Sequence, residues 1–151
     1  MSNSPDLVTG VSIVNNKLFV MENNKHHHSE HKSYNPKLPS RIETPGGKID
    51  EDDKSHQGAL IREFQEEFGV DVNVGDYIGP IATSTHSVAK RIVHTFYVKI
   101  IGNPVNMEPH KCGRFGYFSL SELKKMQCET TILTPNLASI LIMLEESGQM
   151  T

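Results

Sequence analysis

Residues Pro45–Val70 read PGGKIDEDDKSHQGALIREFQEEFGV, a Gly-Gly turn followed by a helix that stops at Gly69. Each residue on an ideal helix advances by about 100°, so Glu66 falls roughly 60° short of Glu63 and Glu67 about 40° past it. Three carboxylates therefore share one narrow face. Leu60, Ile61, Phe64 and Phe68 form the neighbouring apolar face, the arrangement by which a helix docks on a core. Like charges at i,i+3 and i,i+4 repel by a few tenths of a kcal/mol per pair. A helix that keeps this repulsion beside a clean apolar face points to a cation site. Oxygen-only, highly charged ligands suit Mg²⁺ or Mn²⁺ rather than zinc.

Glutamate is also a good helix former, and acidic solvent faces are common. The neighbours decide between the two readings: Pro45-Gly46-Gly47 upstream, Arg62 just before the triplet and Gly69 as the stop. Together they resemble the Nudix box, G-x5-E-x7-R-E-U-x-E-E-x-G-U, where U is bulky and apolar. The match is complete from Arg62 to Val70. Upstream it departs: five residues beyond Gly47 the chain has Asp53 instead of Glu, and eight residues rather than seven separate Asp53 from Arg62. The resemblance makes Asp53 the stand-in for the first Glu, which in the family supports the loop and the arginine.

The resemblance implies an α/β/α Nudix fold with a mixed β-sheet, and hydrolysis of a pyrophosphate bond in a nucleoside diphosphate linked to another group. By position, Glu63, Glu66 and Glu67 hold the metal, with a backbone carbonyl of Gly46 or Gly47 brought close because no Cβ obstructs it. Arg62 orients the acids from their flank. Gly47 and Lys48 stand beside the turn as candidate substrate contacts, a solvated lysine being the plainer reading of Lys48. Further on, Asn106–Cys112 (NMEPHKC) with Tyr117, Phe118 and Leu123 is similar to a segment of MutT-like nucleoside triphosphate diphosphatases. Here too there are departures: Gly113 replaces a Glu, Phe115 and Tyr117 replace tryptophans, and the chain has no Trp. Glu108 is the one acid of this segment, readable as a further substrate-side carboxylate or as an ordinary surface residue.

At 151 residues, 36% hydrophobic and 22% charged, the chain is expected to form one domain. A net charge of −3 argues against general nucleic-acid binding. No apolar run reaches membrane-spanning length, and MSNSPDLVTG lacks signal-peptide architecture. Two cysteines, Cys112 and Cys128, form no disulfide framework and suggest a reducing cytoplasm. The expected partner is a small nucleotide; a homodimer is frequent among the relatives.

Alternation and turn residues predict strands at Asp6–Val14 and Lys17–Glu22 around an Asn15-Asn16 turn, at Arg41–Thr44, and at Val70–Val74 and Tyr77–Thr85 around Gly75-Asp76. Two more follow at Arg91–Ile101 and Phe115–Ser119. Helices are predicted from Ser119 or Ser121 to about Met126, and over Thr134–Glu146 with Thr134 as N-cap and Pro135 at its first position. Residues 23–40, with His26, His27, His28 and His31, read as a flexible surface loop. His86 and His94 are left undecided, as are Phe96, Tyr97 and Tyr117 between base stacking and core. The main reading is a metal-dependent pyrophosphohydrolase acting first on nucleoside triphosphates. ADP-ribose, dinucleoside polyphosphates and capped RNA remain open, as does a catalytically silent nucleotide-binding module. A purely structural acidic face would leave the whole pattern from Pro45 to Gly69 as coincidence.

Overall fold

The structure, a computed structural model, describes residues 6–32, 34–82 and 92–151. In chain order the elements are β1 (Leu7–Val11), β2 (Ile13–Val14), β3 (Lys17–Asn23), a 3-10 turn (Lys25–His27), β4 (Ser40–Glu43), β5 (Gly46–Lys48), α1 (His56–Phe68), β6 (Asp71–Ala82), β7 (Ile92–Ile101), β8 (Cys112–Phe118), α2 (Leu120–Met126), β9 (Thr131–Leu133) and α3 (Pro135–Glu146). The class is mixed α+β, with the strands in two mixed sheets. Two units result, one of residues up to Ser12 with Pro45–Met107, the other of Ile13–Thr44 with Glu108–Thr151.

In the first unit the strand order is β5-β1-β7-β6, with β1 parallel to β7 and the other pairs antiparallel. Helix α1 begins where the Ser55 side chain accepts from the Gly58 N–H at 2.9 Å, satisfying one of the helix's orphan donors. It ends because Gly69 adopts a left-handed conformation, φ 64°, and donates its N–H to the Gln65 carbonyl. The remaining carbonyls of that end are not left bare: Met107 and Val105 donate their N–H groups to Glu67 and Phe68. Leu60, Phe64 and Phe68 are fully buried. Phe64 lies against Gly10, where a Cβ would meet its ring at 2.8 Å, so β1 must carry glycine for the helix to sit this close. Truncating Phe64 to Ala would cost about 3–5 kcal/mol.

In the second unit β2, β3, β4 and β9 are neighbours in that order and β8 pairs with β3; only the β4–β9 pair is parallel. Asn15 and Asn16, at φ 53° and 62°, make the turn between β2 and β3, as their identity suggested. Ser119 and Glu122 form a reciprocal capping box for α2. Thr134 caps α3 through the Leu137 N–H, and Leu137, Ile140, Leu141 and Leu144 are its buried face.

Some local expectations change. The first expected strand, Asp6–Val14, is cut at Ser12, and its two parts join different sheets. Gly75-Asp76 is not a turn: β6 runs through it with a register shift against β7, and Gly75 passes where a Cβ would stand 3.3 Å from the Tyr97 carbonyl oxygen. Strands β5 and β9 were not expected, because three-residue segments carry no periodicity; pairing with β1 and β4 creates them. Phe96 belongs to the core and Tyr117 packs edge-on to Phe19. Thr83–Thr85, His86 and Arg91 lie outside the described residues. Among the described residues no helix is long and apolar enough to cross a membrane.

Candidate functional site

The first unit gathers its charge around one guanidinium. Arg62 donates from Nε and Nη2 to the two carboxylate oxygens of Asp53, at 3.0 and 2.9 Å, a bidentate pair. Its Nη2 also reaches the Lys48 carbonyl at 3.0 Å and Asp50 at 3.5 Å, while Nη1 reaches Glu63 at 3.2 Å and Glu66 at 3.1 Å. Asp53 is further tied to Asp50 by a reciprocal pair, its N–H donating to the Asp50 carbonyl at 3.0 Å and its Oδ2 accepting from the Asp50 N–H at 2.8 Å. One arginine thus fastens β5 and the loop of residues 49–55 to the helix that carries the acids. The hydrogen bonds from Arg62 hold the Asp53 carboxyl below its usual range. Asp53 thus stands against Arg62, the position at which the resemblance expects the first Glu.

The three glutamates do not share one environment. Glu66 is 55% exposed at its side chain and leans on Arg62, whereas the Glu63 side chain is 13% exposed and Glu67 is 8% exposed. Glu63 is hydrogen-bonded to Glu67, and burial pushes the Glu63 carboxyl above the usual carboxylate range; Arg62 pulls against this, and the charge of Glu66 adds to it. Two buried carboxyls in contact are a site short of positive charge.

The glycine turn is built around them. A Cβ on Gly47 would stand 2.5 Å from Glu63 Oε1, and one on Gly46 would stand 1.9 Å from the Val8 carbonyl oxygen. The Pro45 carbonyl is held from the other side by the Thr9 hydroxyl, 2.8 Å, and the Gly10 N–H, 3.0 Å. The donor set fits a hard divalent ion: oxygens only, one carboxyl of raised proton affinity, and a backbone cradle that any side chain would fill. Among the described residues no three His, Cys, Asp or Glu side chains already form a metal nest, consistent with Arg62 engaging Glu63 and Glu66.

Lys48 contributes its carbonyl to Arg62, as given above, and its residue is exposed. Glu108 lies in the second unit, its carboxylate 3.5 Å from Lys111 Nζ. That unit holds two polar groups, Asn136 and Glu43, that the sequence reading did not name, and a third, His26, that it placed on a surface loop and that the fold buries. The Asn136 Oδ1 atom is buried with no hydrogen-bond partner among the described residues. Glu43, bonded to the Asn23 amide, has its carboxyl pushed up by burial. His26 is buried, with its imidazole pushed down to about 4 by burial, then by the charges of Arg41 and His27. No spacing in the sequence announces any of these, since each depends on which strand lies alongside. A cleft of about 460 Å³ in the same unit has the Arg114–Glu22 pair in its lining, with Ser40, Thr130 and Thr131. Its guanidinium is already neutralised by Glu22 at 3.3 Å.

With this geometry in place, comparison with known proteins is direct. A family model described as the NUDIX domain matches residues 5–136. A protein of Escherichia coli named CTP pyrophosphohydrolase is 42% identical over 52 residues, 34% of this chain and 36% of that protein, so the match spans only about a third of the relative's length. Among solved structures, a NUDIX hydrolase from Nitrosomonas europaea superposes with a TM-score of 0.74 at 17% identity, covering 97% of this chain and 90% of that one. A MutT NUDIX hydrolase from Burkholderia pseudomallei gives a TM-score of 0.69 at 17% identity, over 94% and 98% of the two chains. The acid-bearing helix, its glycine turn and the span of the family match lead to one assignment: the chain belongs to the NUDIX family.

Proposed function

We propose that this protein is a divalent-metal-dependent pyrophosphohydrolase that converts a nucleoside triphosphate to its monophosphate and pyrophosphate. The observation that carries it is the buried Glu63–Glu67 carboxyl pair, seated against Gly47 and braced by Arg62. Glu63, Glu66 and Glu67, with the Gly46 carbonyl, would hold Mg²⁺ or Mn²⁺. Such an ion, when bound, neutralises phosphate charge and supplies an activated water.

The residues do the rest. Arg62 fixes the acids before substrate arrives, so little reorganisation is needed at reaction. Glu63 holds a proton more tightly than an ordinary carboxylate and gives it up when a cation takes its place, which links cation binding to proton release. A carboxylate of this cluster is then available as general base. By the family resemblance Gly47 and Lys48, beside the turn, are the candidate substrate contacts, and Glu108 is a further candidate carboxylate. The two thiols, Cys112 buried and Cys128 exposed, are both free, which suits a reducing cytoplasm.

The likeness to a protein named for CTP makes cytidine nucleotides the first to try. A panel of CTP, dCTP, oxidised dGTP, dUTP, ADP-ribose and diadenosine polyphosphates with Mg²⁺ is expected to give monophosphate and pyrophosphate from one of the triphosphates. A split of ADP-ribose or of a dinucleoside polyphosphate alone would keep the chemistry and move the substrate. Glu67→Gln removes a charge at nearly constant size and should lower turnover by about a thousandfold while leaving the circular dichroism unchanged. Wild-type rates in that variant would take Glu67 out of the mechanism.

A further inference from the structure

The geometry points to His94 as a positioning residue that sets the seat of α1 through the face of His56, with Asp6 and Tyr77 locking its ring. The inference rests on the reading that α1 holds a divalent ion. His94 Nε2 lies 3.1 Å from Asp6 Oδ2 and Nδ1 lies 2.9 Å from the Tyr77 hydroxyl. A carboxylate only accepts, so Nε2–H donates to Asp6 and Nδ1 accepts from Tyr77. With both nitrogens engaged, the ring plane has one orientation. Against it lies the imidazole of His56, stacked with ring centroids 4.0 Å apart and planes inclined by 19°.

His56 is the first residue of α1, directly after the N-cap Ser55. Eight residues on, about 12 Å along the axis, Phe64 meets Gly10 of β1 on the same sheet. The helix is thus pinned to β1 and β7 at two separated points, which fixes both slide and tilt. Those two freedoms decide whether the Glu63 carboxyl fits beside Gly47, where a Cβ would already be 2.5 Å away. Asp6 strengthens the case from its backbone: its carbonyl accepts the Ile49 N–H at 3.0 Å, so the same residue that orients His94 also ties the first residue of the 49–55 loop. The cluster adds little to the core, because His56 and Tyr77 are exposed. Its geometry is better explained by position than by burial.

The test uses His56, an exposed residue whose replacement leaves the fold in place. In nucleotide-free protein, His56→Ala should weaken Mn²⁺ binding, read by electron paramagnetic resonance, by about tenfold. With CTP and Mg²⁺, kcat should fall by a similar factor while KM stays within about twofold, and the melting temperature should barely move. His56→Phe keeps a flat ring on His94 and should restore both. His94→Ala removes the same stack together with the bonds to Asp6 and Tyr77, so it should be at least as weak as His56→Ala, and adding His56→Ala to it should make it no worse. Full Mn²⁺ affinity in His56→Ala, a His56→Phe as weak as the Ala variant, or additive losses would each overturn the assignment. Amide exchange along residues 59–67 of the metal-free protein reads the seat without the metal. It should quicken in His56→Ala, and unchanged rates would sink the proposal. A wild-type protein that neither binds Mn²⁺ nor hydrolyses any nucleotide would instead refute the functional reading, and the exchange data would still decide the role of His94.

Discussion

The two units treat polar groups in opposite ways. In the first, charge is concentrated: Asp50, Asp53, Glu63 and Glu66 converge on Arg62, with a fifth acid, Glu67, bonded to Glu63. In the second, burial acts on groups one at a time: the Glu43 carboxyl is pushed up, the His26 imidazole is pushed down, and the Asn136 oxygen is shut away from solvent. A surplus of acids over cations stores affinity for a metal ion, because each carboxylate repels its neighbours until a counter-ion arrives. Buried polar groups store something different. An acceptor without a partner, such as the Asn136 oxygen, costs about 1–3 kcal/mol where it stands, and a matching donor would recover that cost.

The contrast breaks most easily at Gly47. Its Cα faces the Glu63 carboxylate, and an alanine methyl would overlap it. Gly47→Ala should reduce kcat/KM by about a hundredfold, the scale of a displacement of roughly an ångström at a reacting centre. The melting temperature should change little, because β5 is a short strand whose neighbour can shift. Steady-state kinetics beside a thermal melt will decide it; activity within a few-fold of wild type would mean that the turn does not gauge the carboxylate.

Arg62→Lys comes next. A single ammonium cannot grip Asp53 through two oxygens while also reaching Lys48, Glu63 and Glu66. About a tenfold loss of kcat is expected, together with weaker metal binding, since the acids lose their common brace. Preserved kcat would show that the hub serves the loop alone.

How far each unit could be read in advance follows from how it is assembled. Arg62, Glu63, Glu66 and Glu67 stand within six residues of one helix, and helical geometry alone brings them to one side. Asp53 reaches Arg62 across eight residues, the last six of them already in α1, and its part in the resemblance marked it before any coordinates. The Glu22–Arg114 pair spans 92 positions, and the Thr134 N–H meets the Ile42 carbonyl only because β9 lies beside β4. Such contacts come from strand pairing, which leaves no periodic trace in the residues it joins. The clamp on His56 belongs with these: His94 was left undecided on its strand, and its partner Asp6 lies 88 residues away.

The smallest effect tests the second unit by acid. His26 titrates near 4 when folded instead of at its ordinary 6.5, so the native state is the one that refuses the proton. Below 6.5 the unfolded chain binds a proton that the folded chain does not. The stabilisation is therefore complete above pH 6.5 and is lost as pH falls towards 4. At pH 5.5 the loss amounts to about 1 kcal/mol, or about 2–4 °C in Tm for a chain of this size. Glu43 acts with the other sign, since a carboxyl raised by burial favours the folded state at low pH and loses that contribution as pH rises. The two effects oppose each other in the wild-type curve, so only a difference between variants isolates one. His26→Phe keeps an aromatic ring where Nε2 has no hydrogen-bond partner among the described residues, and it removes the proton site. Melts of both proteins at pH 7.5 and 5.5 should show the variant losing about 2–4 °C less than wild type. An equal loss would mean that His26 is not held neutral, and the second unit would no longer differ from the first in the way it handles charge.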